Sequence, residues 1–471
     1  MKNILKLSVG ITLAAMLLGA CTKDFITKDK PYSMTESMVY ADADYIESVL
    51  LGCYAEFKAS SPSFMGGLGF VVFDSRGDDI INTSNPVTMQ DTYEMRILST
   101  STENSRIWNS AYGTINSCNI FIDKLAEYEC EDVVGPTLYK QYIAEAKFIR
   151  AYCYYVLANL YSIPYTINPS ALAVPLRLTG LTSSGNNNCP AATIAEVYNQ
   201  ILADCLPDDL SADSSSATRA SSVAAHLLKM RVYMAMNNWD SAISEGQACG
   251  KVTLAADVAK LYGADANKSS SELIFGMPMT NQDSPNTQMS AAEYFCQKAV
   301  VAYLDNESGI ISKEAYSLEA DQRISKLMTS PDGDGRIFSK KYTDYGTKLD
   351  FIPLMRAAEI DLNLAECYLN KSDDANAKKY LKEVRERSIA AADDILDIDS
   401  LSGADLKEAV YNERRLEFIC EGIRGIDIIR RGETFVKKNT KVDIEVGPTS
   451  SYYIWPMTQS EVNYNKELNT K

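Results

Sequence analysis

Histidine is almost missing from this 471-residue chain. The single one, His226, sits in the run Ala224-Ala225-His226-Leu227-Leu228. Any Ser-His-Asp or Cys-His catalytic unit would have to use it, yet no orienting partner stands out, so a helix-packing role is expected. Metal-ligand spacing is missing too: eleven cysteines include no C-x-x-C pair and no zinc pattern. After the first 20 residues no stretch is long and apolar enough to cross a bilayer, which takes about 20 residues. Positive charge is in deficit, with 46 Lys and Arg against 62 Asp and Glu, a formal charge of −16. That balance disfavours nucleic acid and phosphate-rich polymers as partners. Two motif-like runs also fall short. Gly66-Gly67-Leu68-Gly69 lacks the strand–turn–helix setting of a dinucleotide fingerprint. Asp332-Gly333-Asp334-Gly335 lacks the later glutamate of a calcium loop and reads as a hairpin turn. No cofactor is expected, and calcium has no specific motif behind it.

What is present begins with MKNILKLSVGITLAAMLLGACTKDF. Lys2 and Lys6 give a basic start, and Leu7 to Ala20 is mostly apolar. At about 14 residues it is short for a span but suits the h-region of a signal peptide. Leu18-Gly19-Ala20-Cys21 resembles the lipobox of a bacterial lipoprotein. Residues 1–20 are therefore expected to be removed and Cys21 to carry the lipid, palmitate among its acyl chains. Several acyl chains give stable anchoring where one does not. Loss of the signal takes the charge to about −18. Residues 21–32 read as a lipidated tether, polar and broken by Pro31, and Lys23-Asp24 resembles a surface-export signal of Bacteroidetes lipoproteins. Of the other ten cysteines, Cys153, Cys249, Cys367 and Cys420 fall in apolar helical patterns, and buried thiols are expected, although exposed pairs could oxidise outside the cell.

Helical periodicity dominates the rest, and the fold class expected is mostly α. Tyr139, Ile143, Ala146, Ile149, Cys153, Val156 and Leu160 form one apolar face. Ala225, Leu228, Val232 and Ala235 form another, broken at Asn237-Asn238 before Trp239 opens a new helix. Leu354, Ala358, Leu362, Ala365 and Leu369 form a third, followed by a turn at Lys371-Ser372-Asp373-Asp374 and a helix through Arg387. Helix pairs joined by short polar turns suggest a tetratricopeptide-like scaffold with degenerate repeats. Ser61–Asn85 and Thr182–Pro190, rich in Gly, Ser, Asn and Asp, read as long loops, and residues 251–350 mix short β-like runs with loops. Binding usually resides in such loops.

Tyr411 to Gly432, YNERRLEFICEGIRGIDIIRRG, resembles the ERRLE-type block of the SusD/RagB family of outer-membrane nutrient-binding lipoproteins. Its dense arginine and acid content makes bidentate pairs plausible, expected to lock the fold rather than to catalyse. EAKFIRAYCYY at Glu145–Tyr155, SELIF at Ser271–Phe275, Arg356 to Glu359 with Ala365-Glu366, and Ile454-Trp455-Pro456-Met457 with Glu461 and Asn465 are similar to further family blocks, in the family's order. The resemblance implies one SusD-like domain over residues 33–471, with a loop-rich ligand-binding half. It implies an outer-membrane, lipid-anchored, cell-surface protein that binds glycans without catalysis and delivers them to a TonB-dependent, SusC-like transporter, the helix-pair face docking on that transporter. Peptide binding within the same family is the first alternative; a surface glycosidase is the second, with no acid pair singled out for it.

Sugar faces stack on aromatic rings while polar groups bind the hydroxyls. All three tryptophans, Trp108, Trp239 and Trp455, fall in helices or in a family block, so tyrosine and phenylalanine are expected to serve instead. By loop position and chemistry the candidate ligand residues are Asp78, Asp79, Asn82 and Tyr93, with Tyr294, Phe295 and Tyr303.

Overall fold

A computed structural model describes residues 34–469 apart from 60–63, 84–88, 184, 186, 214–215, 252, 267–269, 284–289 and 439–442. The signal segment, Cys21 and the tether lie outside the described residues.

The chain is mostly α-helical, and the described residues include twelve principal helices: α1 (Ala43–Ala59), α2 (Gly69–Arg76), α3 (Thr102–Glu127), α4 (Pro136–Tyr161), α5 (Ile194–Asp204), α6 (Ser222–Ala235), α7 (Trp239–Ala248), α8 (Ala357–Asn370), α9 (Asp374–Ser388), α10 (Gly403–Glu417), α11 (Arg424–Arg430) and α12 (Gln459–Tyr464). The strands are short: β1 (Ile80–Asn82), β2 (Leu172–Pro175), β3 (Ala191–Thr193), β4 (Leu273–Met277), β5 (Ala302–Leu304), β6 (Ile352–Arg356), β7 (Phe435–Lys437) and β8 (Ile444–Val446). They form four antiparallel pairs, β1–β5, β2–β3, β4–β6 and β7–β8.

The expected helix pairs are present as α6/α7 and α8/α9, joined by the packing of α7 on α8, and α3 pairs with α4 besides. The punctuation between partners is the same in both. Asn237 (φ +55°) ends α6, and the Asn238 side chain then accepts the Ser241 N–H to cap α7. Ser372 (φ +59°) ends α8, and the Asp373 side chain accepts the Asn376 N–H to cap α9. A polar residue that tolerates the left-handed region followed by a side-chain cap makes a tight helix hairpin. His226 and Glu245 link α6 to α7 at 2.6 Å, a partner that sequence order concealed because it lies 19 residues away.

Two expectations need correction. From Ala144 onward α4 is buried on all sides except at Lys147, rather than along one face, because α1, α3 and α5 all pack on it. Its polar residues are matched internally: Arg150 donates to both carboxylate oxygens of Asp204 at 2.7 and 2.8 Å, and Glu145 accepts from Tyr54 and Arg219. The segment read as a Gly-rich loop is instead a buried π-helical turn, Phe64–Leu68, running into α2. Its glycines serve close packing: a Cβ on Gly66 would lie 2.9 Å from the Lys58 carbonyl oxygen. Composition alone could not separate this use of glycine from loop use.

All ten cysteines among the described residues are free thiols, and all but the half-buried Cys189 are buried. Asp332 folds its carboxylate back onto the N–H groups of Asp334 and Arg336 at 2.9 and 3.0 Å, as a turn requires. No helix among the described residues is long and apolar enough to cross a membrane.

The ERRLE-type block lies at the centre of a buried ionic lattice. Arg356, just before α8, donates to Glu272 at 2.8 Å, Glu417 at 2.5 Å and Glu421 at 2.8 Å. Arg323 reaches Asp321, Glu413 and Glu417, and Arg385 reaches Glu413 and Asp394. In a second cluster Glu366 accepts from Arg430 and Arg431, and Asp427 from Arg414 and Arg430. Burial works against the Glu366 carboxylate, but Arg430 and Arg431 outweigh it and hold it down to about 2. These pairs are fold-locking, because every charge in them meets a counter-charge away from solvent.

Candidate ligand-binding face and cleft

The first site region is built where α2 gives way to β1. At the end of α2 the chain passes through extended Gly77 (φ −68°, ψ −175°). β1 then pairs with β5 in the register Ile80↔Leu304, Ile81↔Tyr303 and Asn82↔Ala302. That pairing brings Asn82 and Tyr303 onto one two-stranded ribbon although 221 residues separate them in sequence, Asn82 opposite Ala302 and Tyr303 opposite Ile81, so their side chains leave opposite faces of it.

The seven candidate residues divide into two layers. Asp78, Asn82 and Tyr303 are partly open to solvent, whereas Asp79, Tyr93, Tyr294 and Phe295 are buried. The buried four underpin the face and do not present atoms to a ligand in this conformation. Asp79 accepts the Ile310 N–H at 2.7 Å and Arg415 Nη2 at 2.6 Å. Tyr93 lies under the ammonium of Lys437, 3.9 Å from its ring centroid. The Tyr294 hydroxyl sits between Ser75 Oγ at 3.0 Å and Asn82 Oδ1 at 2.5 Å, which turns the Asn82 amide nitrogen away from that contact. Phe295 packs edge-on against Tyr294, with centroids 5.0 Å apart. The sequence signal for this was Ser290-Ala291-Ala292-Glu293, a capping box that opens the short helix Ala291–Phe295 and carries both rings inward.

Asp78 forms two hydrogen bonds with Arg424, at 2.6 and 2.9 Å. Burial would raise its pKa, but Arg424 and then Arg415 hold it well below the usual carboxylate range. Asp78 is thus a fixed anion already matched by arginine. It is suited to accept hydroxyl hydrogen bonds and unsuited to donate a proton.

A second region lies along α3, where sequence reasoning nominated nothing. A cleft of about 730 Å³ opens between α3, the residues Arg177, Leu181, Asn187 and Asn188, and the C-terminal residues 460–466. Asn109, Tyr112, Gly113 and Asn116 form its floor at helical spacing. Arg177 joins its walls by donating to Glu461 Oε1 at 2.9 Å and to the Asn187 carbonyl. Asn465 clasps Cys189, accepting from its N–H at 3.0 Å and donating to its carbonyl at 2.6 Å. Tyr464 stands at the rim with 81% of its surface exposed, the highest value among the exposed large apolar side chains. The family block at Ile454–Asn465 pointed to this segment, but the loop that meets it and the face of α3 below could be joined only by the fold.

A sequence model of the SusD family matches residues 220–470, and a second, for proteins described as starch-binding and associating with the outer membrane, matches residues 28–234. The chain belongs to the SusD/RagB family. A SusD superfamily protein from Bacteroides fragilis is 45% identical, with a TM-score of 0.87 over 92% of this chain and 100% of its own. A SusD-like carbohydrate-binding protein from Bacteroides vulgatus shares the fold at 20% identity, with a TM-score of 0.74 over 91% of this chain and 98% of its own. A SusD-like protein of Formosa agariphila is 22% identical over 490 residues, 90% of this chain and 89% of that protein.

Proposed function

We propose that this protein captures oligosaccharides at the cell surface without altering them and passes them to a TonB-dependent, SusC-like transporter, anchored in the outer membrane by lipid on Cys21. Family membership supports the reading at the level of class. What supports it at the level of residues is a set of partly exposed side chains on and beside the β1–β5 ribbon: the Tyr303 ring, the Asn82 amide and the arginine-matched carboxylate of Asp78. Rings stack on sugar C–H faces, and fixed amides and carboxylates take the hydroxyls. Glycosidic hydrolysis needs two carboxyl groups in complementary protonation states, whereas Asp78 is held ionised and both Asp78 and Asp79 are turned onto arginines.

Calorimetry of the unlipidated chain against oligosaccharides from starch, xylan, mannan and mucin, with oligopeptides alongside, tests the reading. One glycan class binds, and Asn82→Ala with Tyr303→Ala weakens it about tenfold or more. Binding to peptides alone would overturn the glycan assignment.

A further inference from the structure

The loop-rich face does not account for the cleft along α3. We propose that this cleft is a second binding site, for a short oligosaccharide segment, which places two sugar contacts on one chain. The inference rests on the reading that the protein binds glycans, but not on where the first site lies.

The ligand class follows from which polar groups the cleft has left over. A bound peptide needs a run of unpaired backbone N–H and C=O groups to add to, and the backbone from Arg177 to Leu181 and at Cys189 is largely committed. Asn116 holds both the N–H and the carbonyl of Leu181, at 2.7 and 3.1 Å. Asn119 takes the carbonyls of Arg177 and Thr179, Asp123 takes the Gly180 N–H, and Asn465 takes both groups of Cys189. What still faces the opening is side-chain chemistry: the Asn109 amide, the Ser460 and Tyr464 hydroxyls and the Lys466 ammonium, beside aromatic carbon from Tyr112 and Tyr464. Amide and hydroxyl groups interleaved with ring faces match a polyhydroxylated ligand, to which the Lys466 ammonium also donates. The volume, about 730 Å³, falls within the usual range for small-ligand sites. Among the described residues one carboxyl group lines the cleft, Glu461, and Arg177 pairs with it, an arrangement that suits binding rather than bond cleavage.

Gly113 supplies an independent argument. Glycine is a poor helix former, yet this one lies within the 26-residue helix α3 and is exposed. A Cβ built on it would meet no atom within 4 Å, so packing does not require the glycine. Its effect is to keep the cleft floor bare. The walls are already fastened by Arg177 and Asn465, so little ordering remains to be done when a ligand arrives.

The test uses maltohexaose, xylohexaose, mannohexaose and a mucin core oligosaccharide as probes on the unlipidated chain. Gly113→Leu, which fills the floor, and Tyr464→Ala, which removes the exposed ring, each weaken binding of the recognised probe about tenfold, while the melting temperature of Gly113→Leu stays level or rises. Their effect adds to that of the Asn82→Ala and Tyr303→Ala pair. If that pair abolishes binding and both cleft variants bind as the parent does, the second site is wrong and the functional reading stands. If the parent binds no probe, both fall.

Discussion

The lattice beneath α8, α10 and α11 and the cleft along α3 use the same residue types to opposite ends. In the lattice most arginines are buried and span two or three carboxylates, as Arg356 does with Glu272, Glu417 and Glu421. In the cleft one arginine and one carboxylate close the wall, several amides tie down the backbone, and the Asn109 amide and the Ser460 and Tyr464 hydroxyls lie on exposed residues. A saturated polar network can only hold; an unsaturated one can bind. Buried pairs give little net stability over an apolar core, but removing one partner strands the others at a cost of several kcal/mol.

The largest expected effect breaks the lattice. Arg356→Met leaves three buried glutamates without their shared cation and lowers unfolding free energy by about 3–5 kcal/mol in denaturant titrations. A loss under 1 kcal/mol would mean that the lattice is redundant.

Next comes Gly422→Ala, where the loop-rich half meets the helical one. Gly422 has φ +71°, and an added Cβ would lie 2.6 Å from the Phe70 carbonyl oxygen. The strained backbone and the clash together cost about 2–3 kcal/mol.

A smaller effect concerns pH. Asp74 is fully buried, and burial pushes its pKa up to about 8, although the Gly422 N–H donates to it at 2.6 Å. A carboxyl raised on folding contributes stability that is fully present below 3.8 and is lost as pH rises toward about 8. Burial raises Asp361 in the same direction, to about 7. Glu366, held low by arginines, has the opposite sign, and its contribution is lost as pH falls through about 2. Denaturant titrations at several pH values are therefore expected to show stability falling between mildly acidic and mildly alkaline pH. Asp74→Asn flattens that slope by about 1–2 kcal/mol.

The smallest effect sharpens the contrast at the cleft: Gly113→Ala stabilises by about 0.5–1 kcal/mol through helix propensity alone, seen as a small rise in melting temperature. A fold that needed this glycine would be destabilised instead.

Much of this division is legible in the sequence. The hairpins at Asn237-Asn238 and Ser372-Asp373 follow from local cap chemistry, and the arginine and acid density of Tyr411–Gly432 announces the lattice. The partners of that block, among them Arg323, Asp79 and Asp74, come from up to 348 residues away, beyond what spacing can pair. Loop aromatics misled for a related reason: Tyr294 and Phe295 occupy a chain segment that looks like a loop, but its capping box makes a buried helical turn. The α3 cleft was invisible because its floor, walls and rim come from three distant segments, each with a sufficient structural explanation of its own.

The most direct test of the account is to titrate the unlipidated chain with the oligosaccharide it recognises and then recover that ligand for mass analysis. The account predicts saturable binding with every oligosaccharide returned at its original length. Shortened products that disappear on replacing a single carboxylate would contradict it.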